Sequence, residues 1–120
     1  MIIINYYDIL TSVINVNLVI NNKTLPLKEA NTFIKKLIGL CFKKNINFAL
    51  RFKCNGIHTF FMFEDIDVIL TDKNNNVLYT YKNFKRNRIL LPKKNVYYTY
   101  ELPANTIKTN TIKKLVINNH

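Results

Sequence analysis

The sequence is short of glycine, tryptophan, cysteine and acidic side chains, and each shortage closes off a class of function. With two glycines and no tryptophan among 120 residues, there is no G-x-x-x-x-G-K-S or G-x-G-x-x-G run. No phosphate-cradling loop can be built, and nucleotide hydrolysis has no support. Two cysteines, Cys41 and Cys54, are too few for the disulfide framework of a small secreted domain, so both are expected as reduced thiols. Together with two histidines, one of them the terminal His120, they make no familiar ligand spacing, and no metal or other cofactor is expected. The apolar start at residues 1–4 is interrupted by Asn5 and Asp8. It reaches neither a signal-peptide core nor a membrane span, which points to a cytoplasmic location. Seven acidic residues against 18 basic ones leave a formal charge of +11. That excess suits nucleic acid, an anionic surface or another acidic partner. Lys, Asn, Ile, Tyr and Phe crowd the chain, however, in the profile an A/T-rich coding sequence gives whatever the function, so charge alone decides little.

What is present reads as one domain over residues 1–120, long enough to bury a core without staples. Residues 13–20 alternate loosely, Asn21-Asn22 suits a tight turn and residues 24–27 return, with Pro26 marking an edge strand. From about residue 29 to 41 the period becomes helical. Ala30, Phe33, Ile34, Leu37 and Cys41 form one stripe, while Lys28, Lys35, Lys36 and Lys43 lie mostly off it. A strand follows at 48–52, and Asn55-Gly56 signals a hairpin turn. The densest apolar run, 54–72, reads as a hairpin with arms 57–63 and 66–71 about a Glu64-Asp65 bend. Its register sets Phe63 opposite Ile66 and Phe61 opposite Val68. Ile57, Phe61, Phe63, Ile66, Val68 and Leu70 then face the core, and His58, Phe60, Met62, Asp67, Ile69 and Thr71 share the other side. Further strands are expected at 77–84, 89–91, 96–102 and 115–118. The fold is therefore mostly β, a compact β-sandwich or partly closed barrel of about seven or eight short strands with one covering helix.

Three motifs in order carry a resemblance. C-x-x-I-H-T-F-x-M-x-x-x-I-D-V, from Cys54 to Val68, resembles the signature of domain-of-unknown-function family 192. Lys36-Leu37-Ile38-Gly39-Leu40 is similar to that family's R-x-x-G-L, and Glu101-Leu102-Pro103-Ala104 to its E-L-P-A-G. The match runs from about residue 30 to 117, and three ordered motifs are more specific than one. Here Lys36 stands for the family's arginine, Cys41 for methionine, Asp65 for proline and Asn105 for glycine, and Lys113-Lys114 replaces a Gly-Asp step. The resemblance implies a compact, mostly β domain and no established activity. It also implies a left-handed backbone at Asn105, since asparagine tolerates positive φ best after glycine.

Candidate sites follow from chemistry and position. Cys54, His58 and Asp67 are the residue types of a nucleophile, a base and an orienter. Spacing works against them: an extended 54–58 separates the first two by about 13 Å at roughly 3.3 Å per residue, and a turn sends them to opposite faces. The mixed side of the hairpin, His58, Phe60, Met62, Asp67 and Ile69, is the candidate pocket wall for a small ligand. Lys82, Lys85, Arg86 and Arg88, with Tyr79, Tyr81 and Phe84 between and before them, form a candidate anion face. The same residues also describe a solvated edge strand and its loop. Asp67, set among apolar neighbours, needs a donor, and Lys36 on the covering helix is the candidate for a structural ion pair. The leading expectation is a non-enzymatic small binding or accessory module. A basic nucleic-acid or anionic-surface binder comes second, and a thiol- or histidine-dependent enzyme third.

Overall fold

A computed structural model of the chain describes residues 16–30, 44–108 and 112–119. The described residues form nine strands and no helix: β1 Val16–Ile20, β2 Lys23–Ala30, β3 Ala49–Phe52, β4 Ile57–His58, β5 Ile66–Thr71, β6 Val77–Phe84, β7 Ile89–Leu90, β8 Tyr98–Pro103 and β9 Val116–Asn119. Seven make one sheet in the order β6-β5-β8-β3-β2-β1-β9, and β4 pairs with β7 beside it. The chain entering β9 comes back to the start of β6. The Val77 N–H donates to the Lys113 carbonyl at 2.8 Å and the Leu115 N–H to the Asn75 carbonyl at 3.0 Å. The sheet is thus curled into a half-barrel whose open side is bridged at one end. The radius of gyration, 13.4 Å, is what about 120 residues packed into one unit should have.

The first hairpin forms as its turn residues dictate. Asn21 and Asn22 take φ of 50° and 63°, the left-handed pair a two-residue turn between twisted strands requires. β2 is not the edge strand that Pro26 suggested. It pairs with β1 over Lys23 to Pro26 and, parallel, with β3 over Leu27 to Ala30. The proline sits just before the second ladder begins, where its missing N–H costs nothing. The helix expected from residue 29 does not begin there, because Glu29 and Ala30 lie opposite Arg51 and Phe52 in the ladder. The Arg51 Nε reaches the Glu29 carboxylate at 2.8 Å, and Ala30 is buried. Two partners in the sheet outweigh a helical start. The rest of that stretch, with Lys36 and Cys41, lies outside the described residues.

The expected central hairpin is replaced by a different pairing. β4 is two residues long and lies against β7, Ile57 opposite Leu90 and His58 opposite Ile89. β5 is flanked by β6 and β8, and all six of its residues are buried. A strand enclosed on both faces and both edges needs a long partner on each side, which the interrupted 57–63 run cannot offer. Between β4 and β5 the chain turns, with the Met62 N–H reaching the Thr59 carbonyl at 3.4 Å and Phe61 at a φ of 64°. Phe61 and Phe63, expected in the core, are instead 66% and 45% exposed, while Met62 is buried. Asn55-Gly56 does not join neighbouring strands either. The Asn55 side chain accepts the Lys93 N–H at 2.8 Å and donates to the Lys93 carbonyl at 2.5 Å, pinning the loop after β7.

The period of two within β5 divides the core. Ile66, Val68 and Leu70 join Phe52, Met62 and Leu90 in one buried cluster. Ile69 joins Leu18, Leu27, Tyr100, Leu102 and Ile107 in the other. Each such side chain stabilises the fold by about 1.5–3 kcal/mol on burial. Across the second cluster runs a polar row. The Arg51 guanidinium lies 4.5 Å from the Tyr98 ring centre, and burial pushes the Tyr100 hydroxyl up to about 12. That hydroxyl donates to the Asn75 side chain and fixes the turn where the half-barrel is bridged.

Candidate functional site

Cationic side chains concentrate where β6 runs out and the chain turns toward β7. The loop at 85–88 is held from below by Thr59, which is fully buried. Its Oγ1 donates to the Lys85 carbonyl at 2.8 Å and accepts the Arg88 N–H at 2.9 Å. Its N–H donates to the Arg88 carbonyl at 2.9 Å, and its carbonyl accepts the Asn87 N–H at 3.0 Å. Asn87, at a φ of 59°, makes the reversal that brings these groups onto one threonine. From the side, Asp65 accepts the Arg86 N–H at 3.1 Å and pairs with the Lys85 ammonium and the Arg86 Nε, each at 3.4 Å. Desolvation draws the Asp65 carboxyl upward, but the Arg86 N–H and the Lys85 ammonium outweigh it and hold the group below the usual carboxylate range.

The loop backbone is therefore fixed while its charges stay in water, the Lys85 and Arg86 side chains being 70% and 53% exposed. A groove of about 480 Å³ follows β6, formed by residues 80–85 with Arg88 and Ile89. A second hollow of about 500 Å³ lies against Asp65, Lys85, Arg86, Asn87 and Arg88. Phe60, Phe61, Phe63, Ile89 and Leu91 are exposed on the segments that flank the loop. The surface combines exposed cations on a held loop backbone with exposed apolar side chains.

The pocket wall expected from the sequence is not assembled. Met62 and Ile69 belong to different core clusters. Asp67 lies on β5, where its Oδ1 accepts the Asn83 N–H at 2.9 Å and its Oδ2 the Ile107 N–H at 2.7 Å. The donors that its burial demands include two backbone amides, and Lys36, its expected ion-pair partner, lies outside the described residues. His58 and Phe60 do meet, their rings stacked at 5.5 Å, and the His58 Nδ1 accepts the Phe60 N–H at 3.3 Å. The Cys54 thiol donates to the Gly56 carbonyl at 3.6 Å. Among the described residues no three His, Cys, Asp or Glu side chains gather as a metal site would require. The anion-face residues Lys85, Arg86 and Arg88 are brought together, and Lys82 joins Lys85 and Arg88 along the groove.

Residues 16–114 match the profile of the family described as an uncharacterised ACR, domain-of-unknown-function family 192. The chain belongs to that family. Among similar relatives, the UPF0127 protein of Thermococcus kodakarensis is 39% identical over 95 residues, covering 73% of this chain and 60% of the relative. A UPF0127 protein of Pyrococcus horikoshii is 42% identical over 84 residues, or 64% of this chain and 71% of that one. The chain spans about 60% of the length of the two Thermococcus relatives from T. kodakarensis and T. gammatolerans. Two crystal structures share the fold. A protein of unknown function from Novosphingobium aromaticivorans has a TM-score of 0.71 at 11% identity, with 86% of this chain and 82% of that chain covered. A Sinorhizobium meliloti protein described as a candidate transcription regulator has a TM-score of 0.72 at 15% identity, with 86% and 90% covered.

The motifs of family 192 now have physical content. The aspartate of I-D-V ties β5 to Asn83 near the end of β6 and to Ile107 after E-L-P-A. Asn105, at the family's glycine position, has a φ of 65°, as the resemblance implied. Thr59 and Asp65 were missed as organisers of the basic loop. Thr59 is the one polar residue in the alternation 57, 59, 61 and 63, and Asp65 is an acid where the family usually has proline; both were visible signals.

Proposed function

We propose that the chain is a non-enzymatic binding module whose anionic partner docks on the loop at 85–88 and along the groove of β6. The observation that carries this reading is the double clamp of Thr59 and Asp65, which fixes the backbone of Lys85, Arg86 and Arg88 before any partner arrives. With the loop backbone already held, little main-chain freedom is lost on docking, so more of the Coulombic attraction remains as affinity. An arrangement of exposed cations on a held loop suits a docking surface. A cytoplasmic setting fits a chain with two cysteines, too few for a disulfide framework.

Binding of fluorescein-labelled polyglutamate, followed by anisotropy over a salt series, tests this. Affinity should be measurable at low salt and fall steeply as salt rises. A Lys82→Gln/Arg88→Gln variant, which leaves the Asp65 pairings and the Thr59 backbone bonds in place, should bind at least about tenfold more weakly. No binding at low salt, or an unaffected variant, contradicts the reading.

A further inference from the structure

β6 ends the seven-stranded sheet. Its inner edge is paired with β5, and across its outer side the described residues supply only the Asn76–Lys114 bridge and the bonds of Val77 and Asn75 to 113–115. Past Val77 the strand runs on to Phe84, with roughly 16 Å from Val77 to Lys82 at about 3.3 Å per residue before Asn83 turns to a φ of 53°. Edge strands are commonly blunted by lysine or a bulge. β6 carries Lys82 and two register shifts, near Leu78 and at Lys82-Asn83, yet Leu78 and Tyr79 are each 39% exposed. The groove beside this strand presents three cationic side chains, Lys82, Lys85 and Arg88, and none of its lining residues is acidic. Tyr81 and Phe84 line it as well, with ring centres 6.0 Å apart and edge to face. Both rings are half-buried and pack against the core cluster beneath, which suits an apolar floor better than a platform for stacked bases.

We propose that an extended acidic polypeptide segment adds to the outer edge of β6 and lays its carboxylates against Lys82, Lys85 and Arg88. This rests on the anion-docking reading and names the partner's class. The chain itself makes the first rung of such an addition, antiparallel, at Val77 and Asn75 with 113–115. Backbone hydrogen bonds would supply the affinity, and alternate side chains would choose between the groove and the cations.

A short labelled peptide alternating glutamate and valine provides the probe. It is compared with the same peptide N-methylated at alternate amides, in both possible alternate sets, and with an oligothymidylate of similar charge. The plain peptide should bind, N-methylation in one set should weaken it at least about tenfold, and Lys82→Gln/Arg88→Gln should weaken it further. If both N-methylated peptides bind as well as the plain one, strand addition is overturned while charge docking stands. If oligothymidylate binds more tightly than the plain peptide, the partner is a nucleic acid and this inference is overturned. If neither the peptide nor polyglutamate binds, it falls together with the docking reading.

Discussion

β5 and the paired segments at 59–65 and 85–88 lie next to each other and are stabilised in opposite ways. β5 is buried along its whole length and is held by strands on both edges and apolar side chains on both faces. The neighbouring loops expose three phenylalanines and are held by one buried hydroxyl, the carboxylates of Asp65 and Glu64 and the backbone groups they satisfy. A core strand keeps its place mainly through many small apolar contacts, with Asp67 its one carboxylate. A loop that presents charge to solvent keeps its place through a few polar groups, each of which matters. The difference explains how a surface rich in cations stays ordered without an apolar centre of its own.

The comparison breaks first at Asp67, the one carboxylate on the buried strand. Asp67→Ala would strip two backbone amides of their acceptor and should destabilise by about 3–5 kcal/mol. Asp67→Asn keeps one acceptor oxygen and should cost about 1–3 kcal/mol; chemical denaturation measures both. A smaller loss is expected in the loop, where Thr59→Val keeps the shape but leaves the Arg88 N–H and the Lys85 carbonyl short of a partner. The global cost should be about 1–2 kcal/mol, and the amide of Arg88 should exchange faster by a larger factor than those of β5, which follow only the global stability. Equal acceleration in both regions would show that they are not held separately.

How far this division was legible follows from the kind of force in each region. The run from Ile66 to Thr71 declares a strand through its β-branched residues, and Asn21-Asn22 and Asn105 declare left-handed turns; local chemistry suffices for these. The partner of that strand was misread because residues 57–63 look equally apolar. A single reversal at Phe61 exposes Phe61 and Phe63 and ends the pairing, and an apolar count carries no sign of it. The basic cluster at 82–88 was legible as a charge run. What fixes it was not, because Thr59 lies 26 residues or more from the atoms its hydroxyl joins, and sequence spacing cannot show that approach.

A still smaller effect concerns acid. Because the Asp65 carboxyl is held below its usual range, the stability it contributes is fully present above the unfolded-state value and is lost as pH falls through the lower folded value. Asp65→Asn should therefore be less stable than the parent at neutral pH, and the gap should close in strong acid. A constant gap would mean that charge at Asp65 is not what ties Arg86. The least effect is expected at Asn105→Gly, where the left-handed φ suits glycine. Stability should stay within about 0.5–1 kcal/mol of the parent, whereas Asn105→Ala should lose about 1–2 kcal/mol.

The central claim is that anions dock where the Thr59 and Asp65 clamps hold the loop, and amide chemical-shift mapping during titration with polyglutamate tests it most directly. The account predicts perturbations confined to 80–89 and the adjoining 59–65, with β1, β2 and β9 unchanged. Shifts centred instead on other lysines, such as Lys23 or Lys113 and Lys114, or spread evenly over every basic residue, would contradict it.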